Sequence, residues 1–450
     1  MTSTYDLIVI GTGVAGGKAA TVAKRRGLHT AIVDERPFGG TCPQRGCDPK
    51  KVLAGIAEIY DDTKRVLGKG IKGEVELDWK DLMDYKNTFT SPVPESTEEA
   101  FKKQGIDTFH GTASFEDDHT IKVNDTILKA DKIVIASGAS PAKLPIEGNQ
   151  YLVTSDDFFE LEQLPERILF IGGGYISFEF AHLCARLGRE VIIVHRGKEV
   201  LKNFDKEITN KLVEHSKDLG ISIHTSTEAQ KIEKLDNGKY LIQVKKFDHQ
   251  HEFNADLVIH GGGRTGNVDS LNLAAAGVEC SNKGILVNHN LQSISQSHIY
   301  AAGDVADTGM KQLTPVAGEQ AERLLHHLID EKEQSPSSTP IPSVVFTYPK
   351  LASVGITQQE AKENNIPYEV QSRTITSFFT YQHTQEEGAY AKLLINPFTD
   401  EIIGAHFLTS SADHLINLFT LAIVKKATKQ ELQQMLWAYP TAESDIPSFF

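Results

Sequence analysis

The chain has 450 residues, 40% of them hydrophobic and 24% charged, and a formal net charge of −14. That length exceeds one ordinary hydrophobic core and implies two to four domains, while the acidic balance argues against nucleic acid or an anionic membrane as the main partner. No apolar run approaches the ~18 residues a membrane helix needs, and Met1 to Asp6 carries no basic segment ahead of an apolar stretch, so neither a membrane span nor a signal peptide is expected.

In chain order, Tyr5–Ile10 reads as a strand leading into Gly11-Thr-Gly13-Val-Ala-Gly16, then a helical pattern through Lys24. The apolar run Ala31–Val33 follows and ends in Asp34. Glycines at these spacings permit a tight turn, close backbone approach to a pyrophosphate, and close helix-on-strand packing, with the helix N-terminus facing the phosphate. Asp34, ending the next strand, can accept hydrogen bonds from a ribose hydroxyl. Ile121–Ile135 alternates apolar and polar residues and reads as antiparallel strands.

The opening order then returns: strand Ile168–Ile171, loop Gly172-Gly-Gly174-Tyr-Ile-Ser177, a helix through Leu187 and strand Val191–Val194. Each copy is a βαβ start, so the chain holds two dinucleotide-binding units. In the second copy Ser177 replaces the third glycine. The position matching Asp34 holds His195, followed by Arg196, with Lys202 six residues beyond. A carboxylate there would repel a 2′-phosphate, whereas Arg and Lys would bind one, so NADPH is expected over NADH. Ile221–Ile259 reads as strands finishing this unit. The Pro/Ser-rich stretch Lys332–Pro342 is the best linker. Beyond it, Ser343–Phe450 mixes strands (Ala391–Ile395, Ile402–Phe407) with a helix (His414–Lys426), as an α+β domain would.

Four cysteines occur: Cys42, Cys47, Cys184 and Cys280. So few, with no targeting segment, point to the cytoplasm, where two close cysteines suggest catalysis or metal binding before structural bridging. Cys184 reads as a packed core residue and Cys280 as incidental. The histidines lack ligand spacing; His249/His251 and His326/His327 read as solvated polar residues, and no metal site is expected.

The close pair lies in Phe38-Gly-Gly-Thr41-Cys42-Pro-Gln-Arg-Gly-Cys47-Asp-Pro-Lys50-Lys51. This segment resembles the redox-disulfide motif of the class I flavoprotein disulfide reductases, the glutathione reductase, dihydrolipoamide dehydrogenase and mercuric reductase family. Further resemblances run nearly the length of the chain: Ile135-Ala-Ser-Gly138-Ala-Ser-Pro141, Ile299-Tyr-Ala-Ala-Gly-Asp304-Val305, Leu313-Thr314-Pro-Val-Ala317, Val344–Pro349 and Ser353–Thr357. The resemblance implies an α/β fold with two Rossmann-like domains, for FAD and NAD(P), plus a C-terminal α+β dimerisation domain. The boundaries expected are 1–150 and 271–335 for the FAD-binding and central parts, 151–270 for NADPH, and 340–450 for dimerisation.

It further implies that hydride passes from NADPH to FAD, which reduces the Cys42–Cys47 disulfide. Cys42 would then attack an oxidised small-molecule substrate, while Cys47 would be the charge-transfer thiol against the flavin. Lys50 and Glu179 resemble the ion pair beside the flavin, and Tyr175 the tyrosine gating the nicotinamide pocket. Gly11, Gly13, Gly16, Asp34, Thr41, Gly138, Asp304 and Thr314 would serve FAD. Gly172, Gly174, His195, Arg196, Lys202 and Arg264 would serve NADPH. A homodimer is implied, each active site completed by its partner's C-terminal segment.

On the acceptor side the sequence departs from the family. Tyr439-Pro440-Thr441-Ala-Glu443-Ser444 places Tyr where the family's proton-transferring His stands, and Ser444 where its orienting Glu stands. Tyr, with a free pKa near ~10, can donate a proton at neutral pH but is a poor base. No cysteine follows Cys280, which argues against a typical mercuric reductase. The positions matching the arginines that bind glutathione hold Thr21 and Glu322; Lys18 and Arg323 lie near enough in sequence to compensate. Asp48 should raise its neighbour's thiol pKa unless Arg45 or Lys51 offsets it. The main expectation is an NADPH-dependent disulfide reductase. The alternatives are an oxidant-defence enzyme reducing a thiol-reactive electrophile (a hypohalous-type acid or a metal ion), and diaphorase or transhydrogenase chemistry that bypasses the cysteines.

Overall fold

A computed structural model describes residues 2–332 and 339–450. The central part of the expected linker, 333–338, lies outside the described residues. The chain divides into two compact units: Met1–Lys50, Tyr85–Ala142 and Gly263–Ser338 in the first, Lys51–Asp84, Lys143–Gly262 and Thr339–Phe450 in the second.

The first unit is built on a seven-stranded sheet. Asp107–His110, Thr30–Asp34, Thr2–Ile10 and Thr126–Ile135 run side by side in parallel, and Ile299–Ala301 also pairs in parallel with Thr126–Ile135. Thr120–Val123 and Ala113–Phe115 extend the sheet antiparallel. The alternation over 121–135 therefore marks two environments. Its first half is a hairpin partner, while Ile133, Val134 and Ile135 form a central parallel strand with no exposed side chain on either face. Helix Val14–Arg25 packs through Ala15, Ala19, Ala20 and Ala23, whose small side chains let it lie close to the sheet.

The second unit repeats the parallel start with Ser222–His224, Glu190–Val194, Arg167–Ile171 and Leu257–His260. The rest of 221–259 forms a separate antiparallel meander of Thr227–Lys234, Tyr240–Lys246 and His249–Ala255. The C-terminal region folds as a five-stranded antiparallel sheet, with helix Ala412–Val424 burying Leu415, Ile416 and Phe419. Lys392 and Asp205 are both buried and pair at 2.9 Å. Between the cysteine motif and His110, where no motif stands out, the chain forms three helices: Cys47–Arg65, Trp79–Thr90 and Val93–Lys103. Among the described residues no helix is long and apolar enough to cross a membrane.

Candidate active site

In the first unit the strand Thr2–Ile10 delivers the chain into the glycine turn. A Cβ at Gly11 would lie 2.2 Å from the Ala136 oxygen, and one at Gly16 1.9 Å from the Gly11 oxygen, so the helix and the neighbouring strand close on bare backbone. Gly40 meets the turn from the other side; its φ is +74°, and a Cβ there would stand 2.4 Å from Gly13 Cα. The cysteine segment is thus held against the phosphate loop. Asp34 Oδ2 accepts the Thr12 N–H (2.8 Å) and hydroxyl (2.6 Å), and Oδ1 accepts the Arg36 N–H (3.0 Å). A carboxylate offers about four acceptor positions, and Asp34 lies on the lining where a ribose hydroxyl could reach it.

These residues border a cleft lined by Gly11, Gly13, Asp34, Thr41, Gly138 and Asn267, among others. Asn267 carries no motif of its own, yet it braces the Gly138 loop. Its side chain donates to the Ser137 oxygen (2.8 Å), and its carbonyl accepts the Ser137 hydroxyl (2.7 Å). Asp304 follows strand Ile299–Ala301 in a short turn whose Gly303 N–H is held by Gln320 at 2.7 Å. Burial raises the Asp304 carboxyl pKa and the Arg264 charge pulls it back. A carboxylate so placed suits a polyhydroxyl chain that brings its own donors. Arg264 lies in this same unit, on a short strand opposite Ala139–Pro141, with its guanidinium donating to the Ala139 oxygen. The residues present fit a flavin dinucleotide.

Cys42 lies in the short helix Thr41–Arg45, and Cys47 begins helix Cys47–Arg65, with Asp48 and Lys50 in its first turn. All four cysteines are thiols, Cys184 buried and Cys280 exposed. The hydroxyl of Thr314, at the start of helix Thr314–Asp330, stands 3.3 Å from the Cys47 sulfur and 3.4 Å from that of Cys42. Thr314, expected at the cofactor, thus bridges the thiols. The pair splits electrostatically. Cys47 is lowered to about 6 by its hydrogen bond from Cys42, and also by Thr314 and Lys50, against burial and Asp48. Cys42 is pushed up, by its bond to Cys47 first and by burial second. Lys50 offsets Asp48 at Cys47, and Lys51 stands 3.8 Å from Asp413.

Lys18 and Arg323 do not supply the missing arginines. Lys18 donates at 2.9 Å both to the Glu322 carboxylate and to the Gly318 oxygen, so its charge is cancelled locally. Arg323 is buried, turned towards Glu319 and the Met310 sulfur. His326 and His327 also depart from the solvated reading: both are half-buried, one beside Asp330 (3.1 Å), the other bonded to the Tyr300 hydroxyl (3.0 Å).

In the second unit a Cβ at Gly172 would lie 2.0 Å from the Gly261 oxygen, and helix Tyr175–Arg186 starts at Gly174 with no side-chain cap. Its first N–H groups can therefore serve a phosphate. Ser177 fills the third-glycine position, and Gly261 opposite leaves room for it: a Cβ there would meet the Ser177 oxygen at 1.9 Å. Tyr175 is 43% exposed. His195 turns inward, accepting the Gly173 N–H at Nδ1 (3.1 Å) and reaching the Glu199 oxygen with Nε2 (3.0 Å). Burial lowers its pKa, so the neutral ring braces the loop. Arg196 and Lys202 remain exposed at the loop's mouth. Glu179 is buried and accepts the Phe346 N–H at 2.8 Å. Tyr439 is 77% exposed, and Ser444 closes a local turn on Thr441 instead of reaching it.

Two glycine-loop nucleotide units, one carrying a polarised thiol pair, define a flavin- and pyridine-nucleotide-dependent oxidoreductase. Residues 5–321 match the pyridine nucleotide-disulphide oxidoreductase family, and 341–448 its dimerisation domain. The chain is 31% identical to a glutathione reductase of Burkholderia cepacia over 98% of this chain and 97% of that one. It is 32% identical to a mercuric reductase of Staphylococcus aureus (97% and 80% covered) and 30% to a dihydrolipoyl dehydrogenase of Chlamydia pneumoniae (98% and 95%). The fold matches the HOCl-induced flavoprotein disulfide reductase RclA from Escherichia coli, with a TM-score of 0.88, 23% identity and 99% of each chain covered. The chain belongs to the class I pyridine nucleotide-disulfide oxidoreductases, flavoprotein enzymes that use FAD and NAD(P)H.

Proposed function

We propose that this enzyme is an NADPH-dependent disulfide reductase in which Cys42 is the attacking thiol and Cys47 the resting thiolate. The observation that carries this reading is the Thr314 hydroxyl set between the two thiols, 3.3 Å from the Cys47 sulfur and 3.4 Å from that of Cys42, beside a helix whose first turn holds Lys50. FAD, reduced by hydride from NADPH, would supply the electron pair that opens the Cys42–Cys47 disulfide. Cys42, giving its proton to Cys47, attacks one sulfur of an oxidised substrate and expels the first thiolate. Cys47 gives that proton to the first thiolate, attacks the Cys42 sulfur and expels the second thiolate, which takes a proton from solvent as the disulfide is restored. NADPH, one proton and a disulfide thus yield NADP+ and two thiols.

Gly11, Gly13, Gly16, Asp34, Thr41, Gly138 and Asp304 would hold FAD, with Thr314 serving flavin and thiols together. Gly172, Gly174, Arg196 and Lys202 would hold NADPH, His195 keeping that loop in shape, with Tyr175 at the nicotinamide and Arg264 carrying positive charge towards the cofactors. Lys50 and Glu179 would each serve the flavin, as the family resemblance implies. Residues 1–150 with 271–335, 151–270 and 340–450 would be the FAD, NADPH and dimerisation domains of a cytoplasmic homodimer. In it, the partner's C-terminal segment would bring a tyrosine to each active site as proton donor.

A second reading, reduction of a small thiol-reactive oxidant, is favoured by the Lys18–Glu322 pair and by tyrosine at 439. The pair cancels the Lys18 charge that an anionic peptide would need, and a tyrosine is a poor base. The deciding experiment is NADPH oxidation across disulfides, thiol oxidants and quinones, with Cys42→Ala in parallel. Turnover of a disulfide, lost in Cys42→Ala, supports the main reading; turnover of oxidants alone supports the second. Full activity in Cys42→Ala would overturn both in favour of diaphorase chemistry.

A further inference from the structure

We propose that Met310 is a site of sulfoxidation, at which Arg323 and Gln320 hold the sulfoxide oxygen. These residues lie in the first unit, where the loop after Asp304 leads into helix Thr314–Asp330. Two side chains of that helix aim donors at one sulfur: Arg323 Nη2 stands 3.8 Å and Gln320 Nε2 3.9 Å from Met310 Sδ. The Gln320 amide has a fixed orientation. Its Oε1 accepts the Gly303 N–H at 2.7 Å, which leaves the amide nitrogen for the sulfur and for the Thr308 hydroxyl (3.4 Å). Both side chains are buried, Arg323 to 7% exposure and Gln320 to 3%.

A thioether is a weak acceptor, whereas a buried guanidinium needs strong ones. Among the described residues Arg323 Nε meets no acceptor, and Nη2 has the Glu319 carboxylate at 3.4 Å besides the sulfur. Buried donors matched this poorly are uncommon. An oxygen on the Met310 sulfur supplies the acceptor they lack. Turned towards the donors by its flexible side chain, it replaces two long contacts with N–H···O bonds of about 2.9 Å. Met310 is partly exposed, so a small oxidant such as hydrogen peroxide reaches it. The sulfur attacks one peroxide oxygen, the O–O bond breaks and the sulfur gives up two electrons. The departing hydroxide takes the proton of the transferred oxygen and leaves as water. Gln320 also clasps the turn at Gly303, and its helix begins at Thr314 between the thiols. The oxidised sulfur therefore ties the loop from Asp304 to Thr314 more firmly to that helix.

The test treats FAD-loaded enzyme, its Cys42–Cys47 disulfide closed, with hydrogen peroxide in a Met435→Leu, Cys280→Ser background. Peptide mass mapping and thermal melting follow the reaction. Met310 should gain one oxygen before the buried Met83 does, and the melting temperature should hold or rise. In Arg323→Leu the same oxidation should lower the melting temperature by about 2 °C or more, because the new polar group has lost its main donor. Should Arg323→Leu fail to fold, Met310→Gln places an amide oxygen beside the donors and should melt above Met310→Leu. Three results would overturn the proposal: a Met310 still unoxidised once Met83 is modified, a melting temperature that oxidation changes alike with and without Arg323, or a Met310→Gln enzyme that melts below Met310→Leu.

Discussion

Thr314→Val tests the thiol pair at its hinge. The substitution keeps the branched shape and removes the hydroxyl 3.3 Å from the Cys47 sulfur and 3.4 Å from that of Cys42. A hydrogen bond to a charged partner contributes about 1.5–3 kcal/mol, and a sulfur acceptor belongs at the low end. At about 1.36 kcal/mol per unit, that is roughly one unit of thiol pKa. Cys47, lowered to about 6 by Cys42, Thr314 and Lys50, should therefore titrate near ~7 in the variant. A depressed thiol is a thiolate above its pKa and is lost as pH falls through it. At neutral pH the thiolate fraction should thus fall in the variant. The assay is a pH titration of the long-wavelength charge-transfer absorbance of two-electron-reduced enzyme, alongside the alkylation rate of Cys47. A midpoint that stays put, or moves down, would refute the assignment of Thr314 as a thiolate donor.

Asp48→Asn should act in the opposite direction, lowering both thiols by a fraction of a unit, because the carboxylate raises each; the same titration reads it. Arg196→Gln should raise the KM for NADPH about tenfold or more while leaving NADH nearly unchanged, measured by steady-state kinetics with either nucleotide. Glu322→Gln, by releasing Lys18, should improve kcat/KM for a carboxylate-bearing disulfide about threefold and leave a neutral one unaffected. Lys392→Met strands the buried Asp205 carboxylate and should cost about 3–5 kcal/mol in denaturant unfolding of the FAD-loaded enzyme.

The features legible in the sequence are those that backbone geometry dictates. Gly11, Gly16 and Gly172 can be read from spacing because a Cβ at each would strike a carbonyl oxygen about 2 Å away. Few other residues fit there, so the pattern survives translation into structure. The double role of Thr126–Ile135 was half visible: alternation marks its hairpin half, but a strand buried on both faces has no alternation to show. The histidine in the place of an acid was legible as an absence of negative charge. Its inward turn onto Gly173 was not, since a ring's direction depends on which polar groups its neighbours leave open. The His119–His298 stack joins residues far apart in the chain, and the Thr314 bridge spans 267 positions to Cys47. Spacing carries no signal for contacts that only the sheet assembles.

The two thiols carry a consequence for the acceptor. Burial and the Cys47 bond raise Cys42, so its thiolate is scarce, but a more basic thiolate is also intrinsically the better nucleophile. On the proposed mechanism each attack would begin with a proton passing from Cys42 to Cys47, whose lowered pKa makes it a weak base for that proton. An attacking group so limited favours an electrophile whose leaving group is stable as an anion, because expulsion then needs no strong acid nearby. A tyrosine at 439, and a Glu322 that cancels Lys18, belong to the same logic. The cancelled Lys18 charge does not assist a large anionic disulfide, and neither residue hinders a small, strongly polarised oxidant or a disulfide of acidic thiols. On this proposal the acceptor side would be matched to the thiol pair: a reluctant but potent nucleophile, paired with substrates that need little help to leave.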